Sequence, residues 1–460
     1  MILGNKDKGL KIIIVGAGKV GVSLVEQLTR EGHDITIIDK NAGKLQDITD
    51  VYDVMTIVGN GASYTTQKEA DIDNADLIIA VTDSDELNLL CCTVAKQFSN
   101  CASIARVRTP DYSSDVAYLR EKLGLAMIIN PELEAAKEMA RILYLPTALE
   151  ISSFAHGHAE MVKLKIPEDN VLHGMKISKL GSSITNDILI CAVERDGDVV
   201  IPGGNFELQS GDIISFAAGR REINNFLRKI NFKTKQVKNT MIIGGGRASY
   251  YLATELIKNG IKVTIVERSR ERCEELTTIL PDAVIINGDG TNTSLLKEEG
   301  FDGIESFVPL TGIDEQNVML TLHAKRFSKA KVITKISRTS FNDIISNLDL
   351  GSVIFPKYIT SEAIIAYVRA KNASVGSEII TLYHLFNSRV EAIEFRVTGE
   401  PEITGKALKD LKLKKGVLVA FINRRGKIII PTGSDEILDG DTVMVVTTHT
   451  GFTEIKDILV

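Results

Sequence analysis

The chain repeats itself. The run Ile12-Ile13-Ile14-Val15-Gly16-Ala17-Gly18-Lys19-Val20-Gly21 returns as Thr240-Met241-Ile242-Ile243-Gly244-Gly245-Gly246-Arg247-Ala248-Ser249, and later landmarks return at an offset of 228 or 229 positions. Asp39 pairs with Glu267, Thr82 with Thr311, Asp85 with Asp314, Asn88 with Asn317, Gly197 with Gly426, Pro202 with Pro431, and Gly211-Asp212 with Gly440-Asp441. A tandem duplication limits the fold, because whatever core one half builds the other must build as well. Length alone suggests about three domains; the repeat divides the 460 residues into four, at 11–131, 150–233, 239–357 and 375–460.

In the longer piece of each half, short β-branched runs alternate with segments of helical period. The runs are Lys11 to Val15, Asp34 to Ile38, Val54 to Val58, Leu77 to Val81, Ala102 to Val107 and Met127 to Ile129. The second half repeats them as Met241 to Ile243, Lys262 to Val266, Ala283 to Ile286, Ser306 to Leu310, Lys331 to Ile336 and Val353 to Phe355. Such alternation predicts a doubly wound, Rossmann-like parallel sheet in each half. Helices over Glu132 to Leu143 and Ile359 to Val368 would lead out of it. The shorter piece reads as a small α+β module: a strand at Met161 to Ile166, a helical turn in Val171 to Leu180, strands at Ile188 to Arg195 and Val199 to Ile201 around Asp196-Gly197-Asp198, and a closing strand at Asp212 to Ala217. Val390 to Val397, Ala407 to Leu411, Leu418 to Asn423, Lys427 to Ile430 and Thr442 to Thr447 copy it, and the polar connector Asn231 to Lys238 separates the halves.

Charge and composition exclude some functions. A net charge of −6 with a pI near 5.8 leaves no basic footprint for nucleic acid. No run reaches about 18 uninterrupted apolar residues, and Met1 to Leu10 lacks a signal-peptide core. Cys91, Cys92, Cys101, Cys191 and Cys273 show no metal or redox spacing and read as small buried hydrophobes of a reducing cytoplasm. His156 and His158 stand beside Glu160 without a third ligand at clear spacing, so no metal site is assigned.

The first glycine loop carries the strongest chemical signal. Gly16-x-Gly18-x-x-Gly21 follows a β-run and opens a helix, with Asp39 at the end of the next strand. In that context Gly16 permits a tight turn, Gly18 lets backbone approach a pyrophosphate, Gly21 allows close helix packing, and the acid is placed for ribose hydroxyls. The alternative is a structural turn that has lost its ligand. The second loop, Gly244-Gly245-Gly246-Arg247 with Glu267, has Ser249 where the third glycine belongs. Thr82-Asp83 and Thr311-Gly312 follow the fourth strand of each half, Arg106 and Lys335 end the fifth, and Asn60 stands where the second half has Asp289. Strand carboxyl ends are where open α/β sheets bind ligands; Ser84, Asp85 and Glu86 also read as a helix start.

These segments, with Ala80-Val81-Thr82-Asp83-Ser84-Asp85-Glu86-Leu87-Asn88, Ile104-Ala105-Arg106-Val107-Arg108 and the Gly-Asp that ends each small module, resemble the tandem RCK-domain family of Trk potassium uptake regulators. The likeness covers nearly the whole chain. It implies two RCK units, each a Rossmann N-lobe with a small C-lobe, assembled as a homotetramer ring under a membrane potassium-translocating subunit of TrkH or TrkG type, hence cytoplasmic and peripheral to the membrane. It further implies NAD or NADH as ligand, with ATP or ADP as alternatives. The implied binding positions are Gly16, Ala17, Gly18, Lys19, Val20, Asp39, Thr82, Asp83 and Arg106, and in the second half Gly244, Gly245, Gly246, Arg247, Glu267, Thr311 and Lys335. The helices at Ala135 to Leu143 and Ile359 to Val368 are expected to make the ring contacts, with buried core as the plain alternative. A regulatory subunit is therefore expected rather than an enzyme. An NAD-dependent oxidoreductase is the alternative, but no His, Lys or Tyr is convincingly placed as its proton relay.

Overall fold

In the computed structural model the described residues are 9–113, 115–232, 234–337, 348–372, 377–386 and 388–460; the domain limits expected at 233 and 375 lie outside them. Strands β1 (Lys11–Val15), β2 (Asp34–Asp39), β3 (Met55–Val58), β4 (Leu77–Ala80), β5 (Ala102–Arg106) and β6 (Met127–Ile129) form a parallel sheet in the order β3-β2-β1-β4-β5-β6. Its central strands are apolar on both faces because both are covered. The helix Lys19–Arg30 lays Leu24, Val25 and Leu28 on one face, and Asp85–Phe98 lays Cys91, Cys92 and Ala95 on the other. Reversal of strand order between β1 and β4 opens the crevice in which such sheets hold ligands.

The first small lobe contains β7 (Glu150–Phe154), β8 (Ala159–Lys165), β9 (Leu189–Arg195), β10 (Asp198–Val200) and β11 (Ile213–Gly219), antiparallel in the order β10-β9-β11-β8-β7. The second half follows suit. Strands β12 (Asn239–Ile243), β13 (Lys262–Glu267), β14 (Val284–Asn287), β15 (Ser306–Pro309), β16 (Lys331–Lys335) and β17 (Ser352–Ile354) are parallel in the order β14-β13-β12-β15-β16-β17. Strands β18 (Ser377–Leu385), β19 (Val390–Val397), β20 (Val417–Arg424), β21 (Lys427–Ile429) and β22 (Thr442–Thr447) make the second antiparallel sheet, β18-β19-β22-β20-β21. The expected fold class is the one found. β7 and β18 were not expected, and the helix assigned within Val171 to Leu180 instead spans Ile177–Ser183.

The repeated Gly-Asp has a structural role. Asp212 takes two hydrogen bonds from the Arg195 guanidinium, each 2.7 Å, and one from the Gln209 amide at 2.8 Å. Asp441 does the same for Arg424, at 2.9 and 2.8 Å, and for the Leu438 amide at 2.8 Å. All five cysteines are buried, and burial pushes the Cys91 and Cys191 thiols up to about 12.

The halves exchange helices. The first crossover helix, Pro131–Tyr144, leaves the first lobe and packs Ala135, Ala136, Met139 and Leu143 into one core with Ile242, Leu252, Leu256 and Ile265 of the second. The second, Pro356–Asn372, returns to cover Leu24, Val25 and Leu28 with Ile364, Ile365 and Val368. The two antiparallel sheets also meet, Phe154, Met161 and Ala217 against Phe386, Phe421 and Met444. The expectation that both crossover helices make ring contacts is thereby corrected. Their apolar faces are consumed within the chain, where the run of alanines lets helix and helix approach closely.

Candidate functional site

The three glycines of the first loop act for three different reasons. Gly16 sits at φ +112, and a Cβ there would come within 3.0 Å of the Thr82 amide nitrogen. At Gly21 a Cβ would lie 1.9 Å from the Gly16 carbonyl oxygen, so its absence lets the helix lie against the turn. Gly18 has no atom within 4 Å of that position and an ordinary extended conformation, φ −85 and ψ −175. Nothing internal demands a glycine at 18; the open space in front of it does. It leads the helix Lys19–Arg30, whose first amides and dipole favour an anion.

Asp39, at the end of β2, accepts the Ala17 amide at 2.6 Å and the Asn41 amide at 2.8 Å, and so holds the loop against the strand end. Asn88, fully buried, ties β4 to β5: its side-chain oxygen accepts from the Thr82 amide and hydroxyl at 2.8 and 2.7 Å, and its amide donates to the Arg106 carbonyl at 2.9 Å. Ser84 caps the following helix by accepting from the Leu87 amide, and Asp85 accepts from the amides of Arg108 and Thr109. The helix-start reading of that segment holds, while Thr82 and Asp83 stand before it at the crevice.

Arg106 is 8% exposed, and its buried Nε has no partner. Its Nη2 meets the Asp83 carboxylate at 3.3 Å, and that carboxylate is almost fully solvated. Burial, then the neighbouring Arg108, pulls the guanidinium pKa below its ordinary value, against Glu132, Asp83 and Asp85. A desolvated cation whose counter-ion hangs in water is poised to take another anion.

The cleft in front of these groups has a volume of about 1050 Å³ and brings together every first-half position expected from sequence: Gly16 to Val20, Asp39, Thr82, Asp83 and Arg106. It also brings residues that sequence reasoning missed. Lys44, Arg108 and Glu132 come from the first half, and Ser337, Pro356 and Lys357 from the second. Arg108 lay within a segment already singled out, so charge and position could have flagged it. The second-half residues had no local signal, because Pro356 and Lys357 come with the exchanged helix and Ser337 follows β16 of the other lobe. A groove of about 1180 Å³ under the connector, beside Lys235, Lys238 and Lys329, has no glycine loop.

The second-half positions reproduce the frame with different fittings. Gly244 has φ +99, Glu267 accepts the Gly245 amide at 2.6 Å, and Asn317 accepts from Thr311 at 3.0 and 2.7 Å while donating to the Lys335 carbonyl. Ser249 fits the third glycine's place by donating to the Gly244 carbonyl at 2.5 Å. Gly246 is open, like Gly18, with Arg247 behind it as the first residue of its helix. Arg272, the counterpart of Lys44, donates to the Gly245 carbonyl at 2.7 Å. The Lys335 ammonium donates to the Leu310 carbonyl at 3.4 Å, and burial lowers its pKa. Asn60 and Asp289 differ less than their charges suggest: each accepts from the amide two residues on, at 3.2 and 2.9 Å, in the same turn.

Comparison with known proteins agrees with this geometry. The TrkA-N domain family matches residues 12–131 and 240–356, and the TrkA-C domain family matches 161–231 and 392–460. The Trk system potassium uptake protein TrkA of Halomonas elongata is 30% identical over 95% of this chain and 95% of its own. A homologue of that protein in Methanosarcina mazei is 30% identical over 97% of this chain and 99% of its own. Two solved structures share the fold at 17% identity. The GsuK channel bound to NAD has a TM-score of 0.63 over 97% of this chain and 78% of that one, and the GsuK RCK domain 0.64 over 96% and 93%. With both domain families matched twice and in order, the chain belongs to the TrkA family of Trk system potassium uptake proteins.

Proposed function

We propose that this chain is a non-enzymatic regulatory subunit of a Trk-type potassium uptake system, and that it senses an adenine nucleotide in the first-half cleft. The observation that carries the reading is the vacant front of Gly18 beside the unpartnered, buried Nε of Arg106. A pyrophosphate there gains the helix N-terminus and the guanidinium together, and Asp39 turns toward ribose hydroxyls. NAD or NADH is the proposed ligand, with ATP or ADP competing. Support comes from relatives named as potassium uptake proteins and from GsuK, whose fold this chain shares and which has been solved with NAD and with ADP.

The reading places the chain at the cytoplasmic face, on a potassium-translocating partner of TrkH or TrkG type, as the naming of its relatives as Trk system proteins supports; no helix among the described residues is long and apolar enough to cross a membrane. Four copies make the proposed ring of eight Rossmann lobes. Its contacts are assigned to Leu90 and Phe98 and to their repeat counterparts Met319 and Phe327, which are exposed in both halves at 52, 49, 66 and 62%. In this reading the second-half positions, Gly244 to Arg247, Glu267, Thr311 and Lys335, form a weaker site. The test is calorimetry with NADH. Asp39→Ala should weaken binding at least tenfold, about 1.4 kcal/mol, and NADH fluorescence should persist on the protein without turnover. Unchanged affinity in the variant removes the assignment.

A further inference from the structure

A second cavity, of about 520 Å³, shares no residue with the cleft in front of Gly18. Gln27 reaches it from the first Rossmann lobe, Glu150 and Lys163 from the first small lobe, Ser352 from β17 and His384 from β18, while the two crossover helices supply Glu138 and Glu362. Several acceptors in its wall are unanswered. Ser352 is 1% exposed and its Oγ has no partner, and the Gln27 Oε1 is buried without one as well. The fold does not demand that hydroxyl, since the equivalent strand of the first half begins with Met127. Glu362 is 9% exposed, and both contacts from His384, its amide at 3.0 Å and its Nδ1 at 3.3 Å, go to Oε1, which leaves Oε2 unengaged. Glu138 has neither a hydrogen bond nor an ion pair among the described residues. The other charges are already matched: Lys163 lies 3.6 Å from Glu150, His384 stands between Glu362 and Glu391, Glu194 pairs with Arg389 and Asp349 with Lys325, and Lys165 is exposed beside Asp349. Buried acceptors left open cost free energy until a donor reaches them.

We propose that this cavity binds a small alkylammonium ion, whose three N–H groups are met by Glu138, Glu362 and Ser352. The class of ligand follows from what lines the space. A metal ion fits poorly, because among the described residues no three His, Cys, Asp or Glu side chains are placed to hold one. An amine needs only acceptors for its head and apolar surface for its chain, and Val353, Phe355, Ile359 and Tyr383 offer that surface. The Lys163 ammonium already lies 4.4 Å from the centre of the Phe386 ring, so the aromatic wall accepts such a group. A ligand seated there touches both Rossmann lobes, both small lobes and both crossover helices, and it stabilises the one arrangement in which they all meet. Occupancy is therefore an input separate from the nucleotide's.

The test uses the intact protein and putrescine, with butanediol as the uncharged analogue. Calorimetry at pH 7 should show binding of the diamine and none of the diol. The dissociation constant should be at least tenfold higher in Glu138→Gln and at least threefold higher in Ser352→Ala, with the parent's circular dichroism in both. A proton gives a second readout. Burial, then Glu150 and Glu362, push the Glu138 carboxyl up to about 8 against Arg141; Glu134 of its own helix and the Tyr383 hydroxyl also face it. At pH 7 the amine must displace that proton, while the alkylammonium keeps its own. The binding heat should therefore vary with the ionisation enthalpy of the buffer in the parent and not in Glu138→Gln, and the parent's affinity should rise as pH climbs towards about 8. Absence of putrescine binding at millimolar concentration, or equal binding of the diol, overturns the proposal. So does an affinity within twofold of the parent in Glu138→Gln, which would put the amine on the acidic outer surface instead.

Discussion

Arg369 offers the sharpest test of how the halves are joined. It is 2% exposed, and its guanidinium makes a two-point contact with Glu391, both distances 2.9 Å, while also binding Glu31 of the first lobe. Glu391 is 1% exposed, and its other charged neighbour is His384, at 3.4 Å, which also meets Glu362 at 3.3 Å. Burial alone would raise the Glu391 carboxyl, but hydrogen bonds from His384 and Arg369 outweigh it and hold the group at about 2. Against an ordinary value of 4.5 this is worth roughly 3 kcal/mol to the folded state. Breaking a buried pair by removing one partner typically costs about 3–5 kcal/mol, so the two routes agree. Arg369→Met should therefore destabilise the protein by about 3–5 kcal/mol at pH 7, read as the shift of the first urea transition, since a chain of this size need not unfold in one step. Adding Glu391→Gln should return at least half of the loss, because most of it is the stranded charge. The depressed carboxyl stabilises fully above 4.5 and ceases to do so as pH falls through about 2, so the gap between parent and variant should shrink across that window. A loss below about 1 kcal/mol for Arg369→Met at pH 7 would show that the network is solvated and the argument wrong.

The glycine loop separates stability from binding: Gly18→Ala should melt within a degree or two of the parent yet lose NADH affinity by calorimetry, while Gly21→Ala, whose Cβ meets a carbonyl at 1.9 Å, should lower the melting temperature sharply. Glu138 lies deep among neighbouring atoms, although a cavity leaves part of it accessible, and burial followed by Glu150 and Glu362 raises it to about 8. Its folded form keeps a proton that the unfolded chain releases near 4.5, so stability declines from 4.5 to 8; Glu138→Gln should match the parent below that window and exceed it above, in thermal melts at each pH. The Tyr251 hydroxyl accepts from Asn130 at 3.0 Å and donates to the Arg108 carbonyl at 2.8 Å, so Tyr251→Phe should cost about 1 kcal/mol in urea unfolding and loosen the first cleft. Leu90→Glu with Met319→Glu should reduce the particle mass in light scattering if the exposed helices build the ring; an unchanged mass rules that surface out.

What could be read from sequence was local. The strand that feeds Gly16, the helix behind Gly18 and the acid ending β2 depend on neighbours within a few tens of residues, and they were found where expected. Two strands escaped notice for physical reasons. In β18 the register shift between Ile379 and Thr381 puts Ile379 and Leu382 into one core while Leu385 enters the other, so buried residues recur every third position and disguise a strand as a helix. In β7 the buried face includes Ser152, so no clean alternation is visible. Lys357 was missed because its place at the first cleft depends on a helix more than 300 residues from the glycine loop. The crossover helices were read as apolar, correctly, but apolarity does not say which surface will cover it.

Exchange of those helices has a consequence for synthesis. Leu24, Val25 and Leu28 receive their cover from residues 356–372, so the first lobe, whose last strand ends at Ile129, emerges from the ribosome with that face bare. At about 5–20 residues per second, the intervening stretch takes roughly 12 to 50 seconds to make. Throughout that interval a sticky helix face waits in a crowded cell for a partner still being translated. Any second nascent chain on the same message carries an identical bare face and, further along, the segment that fits it. The chain's order of appearance therefore favours helper proteins that shield apolar surface, and it makes exchange between neighbouring copies the natural error of assembly.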